Sequence, residues 1–151
     1  MAAPHVERLT VSEPYLRLGS ILAEGPFYRP EDDTLHFVDI KAKLLHCVPL
    51  SGSGEAKVLQ IDNMLGVACL IENDDKNYIV AAKRGFGLVN QSTGQLTYIA
   101  KVFDNEDDEL RFLGRFTKLN YNRLRFNDGA IDCMGRFWAG AMFEYLQPSL
   151  F

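Results

Sequence analysis

Three polar residues in one short stretch could bind a small, oxygen-rich molecule. Arg125, Asn127 and Asp128 stand in RLRFNDGAIDCMGRFWAG, which spans residues 123–140. Residues two apart on an extended segment point to the same side, so Arg125 and Asn127 are expected to share a face. The guanidinium can hold a carbonyl or carboxylate, and the amide both donates and accepts hydrogen bonds. The alternative is an exposed turn, which Asp128 and Gly129 are expected to form.

The composition limits the class of protein. The chain has 151 residues, of which 47% are hydrophobic and 24% charged, as in one soluble globular domain. A net charge of −4 provides no field that would attract nucleic acid. No apolar run approaches the roughly 18 residues of a membrane helix, and the first residues lack the pattern of a secretory signal. We therefore expect a cytoplasmic protein that binds neither nucleic acid nor a membrane.

The cysteine residues show no metal-binding spacing. Cys47, Cys69 and Cys133 are odd in number and far apart, without a C-x-x-C pair. This spacing argues against a structural zinc site and against a disulfide framework. The sequence predicts three buried thiols in a reducing compartment.

Short β-branched or aromatic runs alternate with turn residues along most of the chain. Turn clusters such as SGSGE and QSTGQ separate these runs, and no stretch shows a sustained helical period. The runs are TLHFVDI, KLLHCVPL, AKVLQI, ACLIE, NYIVAA, GFGLVN, QLTYIAKV and RFWAGAM. They predict an all-β fold.

The predicted strands recur at an offset of 42 residues. DDTLHFVDIK lies over DDKNYIVAAK, and a third copy begins at IDCMGRFWAGAM, where Trp138 takes the place of Phe37 and Ile79. Identities at this offset are Asp32 with Asp74, Asp33 with Asp75, Val38 with Val80, Lys41 with Lys83, and Gly52 with Gly94. A unit of about 40 to 50 residues with four short strands is typical of one blade of a β-propeller.

The repeat divides the chain into two blades and part of a third. We expect blades at about 18–62 and 63–104, a polar insertion at 104–120 and an incomplete blade at 121–151. All of these form a single partial propeller domain.

The central strands of the three blades provide a test of this interpretation. They are expected at Leu35–Asp39, Tyr78–Ala81 and Phe137–Gly140, in three successive sheets around one axis. The alternative is an ordinary β-sandwich with a chance repeat, in which two of these strands would lie side by side in one sheet.

Two motifs in this order resemble the senescence marker protein / gluconolactonase / luciferin-regenerating-enzyme family. The first is E-G-P with an aromatic residue at 24–27, followed by a strand that ends in Asp39. The second is R-F-N-D-G at 125–129, followed by Asp132 and by G-R-F-W-A-G at 135–140. The resemblance implies the N-terminal half, about two and a half blades, of a six-bladed β-propeller.

The resemblance, which spans roughly residues 18 to 144, also implies an activity and a site. Family members include lactonases for sugar lactones, with one divalent cation, calcium or zinc, at the end of the central channel. By the match of the motifs, Glu24 would be a metal ligand, and Arg125 and Asn127 would contact the substrate. An acidic substrate contact after the second motif falls one position from Glu144, which we take as its counterpart.

The chemistry of these residues is consistent with such roles. Glu24 precedes Gly25 at the head of a predicted inner strand, so its carboxylate can point into the channel mouth, and hard cations prefer oxygen ligands. In a lactonase the cation would polarise the carbonyl and lower the pKa of a bound water, while a carboxylate moves the proton. The family's catalytic aspartate and its other metal ligands would lie beyond Phe151, so no catalytic residue is assigned.

The predicted function is therefore that of a metal-dependent lactonase-type hydrolase with a small-molecule lactone as substrate. The chain alone is expected to be inactive, and the sequence leaves the oligomeric state open. The alternative is a non-catalytic calcium-binding or scaffolding propeller, or an inactive truncated remnant. Propellers host many functions, so the fold does not choose between them. An Asn and an Asp in two following blades would favour the lactonase.

Overall fold

The strands fall into three separate antiparallel sheets. The computed structural model describes residues 6–51, 54–102, 108, 111 and 124–143. Within them the strands are β1 (Ala23–Arg29), β2 (Thr34–Asp39), β3 (Leu44–Pro49), β4 (Lys57–Gln60), β5 (Leu65–Ile71), β6 (Asp74–Ala82), β7 (Gly85–Asn90), β8 (Leu96–Lys101), β9 (Leu124–Ile131) and β10 (Phe137–Phe143). No helix in these ranges has the length and apolar character needed to cross a membrane.

Each sheet is a simple meander of consecutive strands. The first sheet has the order β1-β2-β3-β4, the second β5-β6-β7-β8, and the third pairs β9 with β10. The predicted central strands correspond to β2, β6 and β10, which lie in three different sheets. This confirms the all-β prediction and excludes the sandwich alternative. The blade boundaries stay predictions, and the expected insertion at 104–120 lies almost wholly outside the described residues.

The main hydrophobic core lies between the first and second sheets. Val38 of β2 and Val80 of β6 are fully buried there. The other buried members are Ile40, Leu45, Leu59, Ile61, Leu65, Ala68, Tyr78, Ala82 and Val89. Each buried Å² of apolar surface contributes about 25 cal/mol, so this cluster is what holds the two sheets face to face.

A smaller core joins the second and third sheets. Its centre is Phe86, whose ring centroid lies 5.5 Å from that of Phe126 and 5.7 Å from that of Phe137. A Cβ at Gly129 would lie 2.3 Å from the carbonyl oxygen of Trp138 and 3.0 Å from Val67, so only glycine fits there. The third sheet therefore packs on the second through a smaller cluster, whose buried members are Val67, Ala81 and Phe126.

The 42-residue register is wrong by one residue in the central strand. Val38 and Val80 face each other across the first core, whereas equivalent residues of successive blades must face the same way around the ring. An offset of 43 places Val38 over Ala81, and each then faces the following sheet. The counterpart of Ile79 and Trp138 is accordingly His36, and Phe37 lies on the opposite face. A shift of one residue in a strand exchanges its two faces, which is why the small error matters.

Two further expectations are corrected. Asp128 and Gly129 lie within β9, and the turn is formed instead by residues 132–136, between β9 and β10. The three cysteines are free, as predicted, but Cys133 is exposed because it lies in that turn, and the other two are half-buried.

Candidate functional site

The first strands of the three sheets approach one another, and glycines allow the contact. A Cβ on Gly66 of β5 would lie 2.4 Å from the carbonyl carbon of Phe126 and 2.7 Å from the backbone nitrogen of Asn127. Gly25 of β1 packs on Val67 of β5, where a Cβ would lie 3.6 Å from the Cα of Val67. A line of backbone contacts therefore joins β1 to β9 through β5.

Arg125 and Asn127 lie together on β9. Nη1 of Arg125 donates to Oδ1 of Asn127 at 2.7 Å and to the carbonyl oxygen of Phe126 at 3.2 Å. The Arg125 side chain is buried, with 6% of the residue exposed, and Asn127 is half-buried. The strand has a bulge at Asn127, which is skipped between two successive cross-strand pairs. Bulges redirect side chains and are frequent beside functional sites. The hydrogen bond shows that the two side chains meet, as expected, although the bulge interrupts the regular alternation on which that expectation was based.

Glu24 lies near the start of β1, half-buried, opposite Val38 of β2. The next residue, Gly25, has a φ of 57°, a backbone conformation that glycine adopts without strain. The pairing of β1 with β2 also shifts between Glu24 and Phe27, so this strand is bulged directly after the carboxylate. The positive φ of Gly25 and the bulge thus set the direction of the β1 backbone after Glu24.

Asp39 anchors the segment that leads into Glu24. Its buried carboxylate accepts hydrogen bonds from the backbone N–H groups of Ile21 at 2.7 Å, Leu22 at 3.0 Å and Ala42 at 3.1 Å. Burial disfavours the charged form, but the donors of Ala42, Ile21 and Leu22 outweigh it and keep the pKa of Asp39 below its ordinary value. The charged carboxylate therefore ties the start of β1 to the turn after β2. Asp39 belongs to the first sequence motif, but the sequence alone did not indicate its role.

The structure brings Arg125 and Asn127 into contact and places Glu24 on a neighbouring inner strand. The connection from Glu24 to Asn127 runs through β5, since Gly25 packs on Val67 and Gly66 packs on Asn127. Glu144, the third expected substrate contact, lies outside the described residues. The binding roles of all these residues stay predictions.

The described residues do not complete a cation site by themselves. Among them, no three His, Cys, Asp or Glu side chains are grouped so that they could hold a metal ion. Glu24 offers one carboxylate, whereas calcium takes six to eight oxygen ligands. The amide oxygen of Asn127 already accepts a hydrogen bond from a guanidinium cation. We therefore assign no chemical step to a cation held by these residues alone.

Asp132 organises the other end of β9. Its carboxylate accepts hydrogen bonds from the backbone N–H groups of Met134 and Arg136, from Nε of Arg136 at 2.7 Å and from Nε1 of Trp138 at 2.9 Å. The Trp138 indole and the Arg136 donors lower the pKa of Asp132 to about 2. An aspartate shortly before a Gly-containing turn is the sequence signal for such a structure. The cluster fixes the turn and the indole, and it takes no part in the Arg125 site.

Comparison with known proteins identifies relatives over most of the chain. The model of the SMP-30/Gluconolactonase/LRE-like region matches residues 22–149. The 6-deoxy-6-sulfogluconolactonase of Pseudomonas putida is 31% identical over 130 residues, which are 85% of this chain and 38% of that protein. Regucalcin of Gallus gallus is 26% identical over 129 residues, covering 85% of this chain and 37% of that protein. The chain therefore spans less than two fifths of the length of these relatives.

Solved structures show the same partial coverage. A regucalcin from Agrobacterium tumefaciens, described as a calcium-binding protein, has a TM-score of 0.63 and 27% identity over 82% of this chain and 36% of that one. A luciferin-regenerating enzyme has a TM-score of 0.61 and 20% identity over 83% of this chain and 39% of that one. Both likenesses confirm the predicted fold, part of a β-propeller. From the matched model, the chain belongs to the SMP-30/gluconolactonase/LRE-like family.

Proposed function

We propose that this chain supplies part of the site of a lactone hydrolase, with Arg125 and Asn127 as substrate contacts and Glu24 as one ligand of a divalent cation. The hydrogen bond of 2.7 Å from Arg125 to Asn127 carries the proposal, because it orients a polar pair on an inner strand. The similarity to a sulfogluconolactonase supports the choice of a lactone as substrate.

The proposed chemistry follows from the hydrogen-bond donors of Arg125 and Asn127. Because the guanidinium donates to Oδ1, the amide plane of Asn127 is fixed and its Nδ2 keeps two N–H donors for a ligand. A sugar lactone presents a carbonyl and several hydroxyl oxygens, all of which accept hydrogen bonds. Attack of a nucleophile on the lactone carbonyl places negative charge on the carbonyl oxygen. Oriented N–H donors beside the buried guanidinium of Arg125 favour that charge. Arg125 and Asn127 would thus bind and orient the lactone, while proton transfer needs a group outside the described residues.

Ligand binding tests the Arg125 and Asn127 roles without requiring turnover. We expect gluconate, the stable product of gluconolactone opening, to shift the backbone amide NMR signals of residues 124–129. Asn127→Asp is the matched variant, since it keeps an acceptor for Arg125 and removes the Nδ2 donors, and it should weaken binding at least tenfold. Arg136→Lys, in the β9–β10 turn, should leave binding unchanged. Equal binding by the parent and by Asn127→Asp would contradict the proposal.

The role of Glu24 is tested in a protein that carries this chain together with the remaining blades. There Glu24→Gln should weaken cation binding and abolish lactone hydrolysis. Asp32→Asn is the control, because Asp32 lies in the β1–β2 turn, where it accepts a hydrogen bond from Thr34 and pairs with Arg29 at 3.6 Å. Calcium binding without gluconate binding or hydrolysis would favour the non-catalytic calcium-binding alternative.

A further inference from the structure

The first and second sheets begin in the same way but differ at one buried position. In each, the first residue of the first strand pairs with the last residue of the second strand, and a backbone hydrogen bond of 3.0 Å closes the sheet directly beyond that pair. In the first sheet these contacts are the Ala23–Asp39 pair and the bond from Ile40 to Leu22, and in the second the Leu65–Ala82 pair and the bond from Lys83 to Met64. Asp39 and Ala82 therefore hold equivalent positions, with 2% and 0% of each residue exposed.

The second sheet shows that the fold needs no charge at this position, because Ala82 fills it with a methyl group. A buried carboxylate is costly unless hydrogen bonds compensate for the lost water. Asp39 accepts three such bonds, and two of them come from the N–H groups of Ile21 and Leu22, which directly precede β1. The additional contribution of the carboxylate thus lies at the start of β1, in the sheet that carries Glu24.

The chain that leads into β1 has little packing of its own. Residues 17–21 are exposed, with 67% of Ile21 accessible, and a Cβ on Gly19 would have nothing within 4 Å. Only at Leu22 does a side chain of this segment pack on the main core. Since apolar contacts do not hold Ile21, the hydrogen bond of 2.7 Å to Asp39 restrains its backbone. Glu24 follows three residues later.

We propose that Asp39 is the positioning residue of Glu24, because its carboxylate fixes where β1 begins and hence where the Glu24 carboxylate lies. This inference rests on the proposed role of Glu24 as a cation ligand. Calcium–oxygen distances fall between about 2.3 and 2.6 Å, so a small displacement of the ligand weakens the bond. Asp39 acts through the backbone of Ile21 and Leu22 and contacts no cation itself.

Hydrogen exchange in the 151-residue chain tests the first step without any cation. Asp39→Asn keeps the size of the side chain but replaces one acceptor oxygen by an NH₂ donor, which cannot accept from the N–H groups. The amides of Ile21 and Leu22 should then exchange at least about tenfold faster, as expected for a lost hydrogen bond to a charged group. Exchange at residues 124–129 should not change. NMR measures these rates amide by amide.

Calcium titration tests the second step in a protein that carries this chain together with the remaining blades. Asp39→Asn should weaken calcium binding by about 10- to 100-fold, the usual effect of losing a group that orients a metal ligand. Lactone hydrolysis at saturating calcium should nevertheless return close to the parent rate, because Glu24 is still present. Glu24→Gln should lose hydrolysis at every calcium concentration. This separation of affinity from turnover is not expected of a residue that only stabilises the fold.

Two controls separate positioning from general destabilisation. Val80→Ala lowers stability through the main core, away from the start of β1, and should leave calcium affinity unchanged. Ile21→Pro removes one N–H donor to Asp39 and leaves the carboxylate intact, so it should weaken calcium binding in the same direction as Asp39→Asn, though by less. Ile21→Ala keeps that N–H and should bind calcium like the parent.

Four results would overturn the proposal. Unchanged exchange of Ile21 and Leu22 in Asp39→Asn would refute the restraint itself. Calcium affinity that Glu24→Gln lowers and Asp39→Asn does not would refute the positioning role alone and leave the proposed function standing. Equal losses of affinity in Val80→Ala and Asp39→Asn would show a general effect of stability. Unchanged affinity in Glu24→Gln would refute the proposed function as well, since there would be no ligand to position.

Discussion

At the scale of single residues, each ring nitrogen of the buried His36 has a hydrogen-bond partner. The hydroxyl of Thr34 donates to the carboxylate of Asp32 at 2.6 Å, so its oxygen is left to accept from Nε2–H of His36 at 2.8 Å. Nδ1 of the neutral ring then accepts the hydroxyl proton of Tyr78 at 3.1 Å. This order of protons leaves no group unpaired, and it links the first sheet to the second. A second proton on His36 would break it.

His46 is also buried, but its contacts differ from those of His36. Its ring stacks on Phe37 with centroids 4.6 Å apart, and neither ring nitrogen has a hydrogen-bond partner among the described residues. Burial lowers the pKa of both His36 and His46 below the usual 6.5, although Asp32 and Asp39 respectively act in the opposite direction. Both rings are therefore neutral at pH 7 in the folded protein.

We expect the free energy of unfolding to decrease as the pH falls from 7 to 5. Below about pH 6.5 the unfolded chain protonates His36 and His46 while the folded chain does not, so acid favours the unfolded state. Urea unfolding at a series of pH values measures this slope. His46→Phe removes two unsatisfied nitrogens and keeps the stacking on Phe37, so it should raise stability at pH 5 and make the pH dependence shallower. An unchanged profile in that variant would show that His46 is not involved.

At the scale of elements, strand alternation and turn residues predicted the strands β2, β6 and β10, and the 42-residue repeat predicted their separation into three sheets. The register was missed because two hairpins differ in length. The β2–β3 connection has four residues, 40–43, whereas the β6–β7 connection has two, 83–84. The offset is therefore 43 before this turn and 41 after it, and 42 is their mean. An average taken across a turn cannot reveal which face each residue occupies.

Only part of the candidate site could be predicted from the sequence, for a related reason. The spacing of Arg125 and Asn127 predicts a shared face, and the structure adds the bulge and the hydrogen bond that orients the amide. The contribution of Gly66 was invisible, because it depends on a long-range approach of β5 to β9 that no local pattern encodes. Local rules predict elements, whereas contacts between elements depend on how the sheets pack.

Gly66→Ala tests whether β5 positions β9. The added Cβ would meet backbone atoms of Phe126 and Asn127 at 2.4 to 2.7 Å, and backbone cannot yield as a flexible side chain can. We expect a loss of about 1–3 kcal/mol in the free energy of unfolding, the usual cost of overpacking. Hydrogen exchange at residues 124–131 should accelerate as well. Chemical denaturation and exchange mass spectrometry measure the two effects.

Gly140→Ala is the matched control for this substitution. Gly140 is likewise a strand residue, in β10 of the third sheet, but a Cβ there would have nothing within 4 Å. Its stability should change by less than that of Gly66→Ala, and exchange at residues 124–131 should not change. Equal effects of the two substitutions would mean that the loss reflects glycine replacement in general and not the contact between β5 and β9.

At the scale of the whole molecule, the row of three sheets leaves surfaces that a closed ring would cover. Within the described residues β10 pairs only with β9, and an unpaired strand edge is a place where another strand can pair. Repeat architectures gain stability from neighbouring units, and among the described residues the first and third sheets each pack on one other sheet. We therefore expect the 151-residue chain to be weakly stable, and its thermal midpoint to rise with protein concentration as association stabilises it.

The same chain is expected to show no lactonase turnover, with calcium or with zinc. Glu24 is one carboxylate, and the described residues contain no group of three metal-binding side chains. In their proposed role, Arg125 and Asn127 would bind a substrate without moving a proton. Gluconolactone hydrolysis by the purified chain, measured above the spontaneous rate with each metal and with a chelator, tests this. Metal-dependent turnover that Glu24→Gln abolishes would show that the 151 residues contain a complete site, and that its acid/base lies among residues to which no role is assigned.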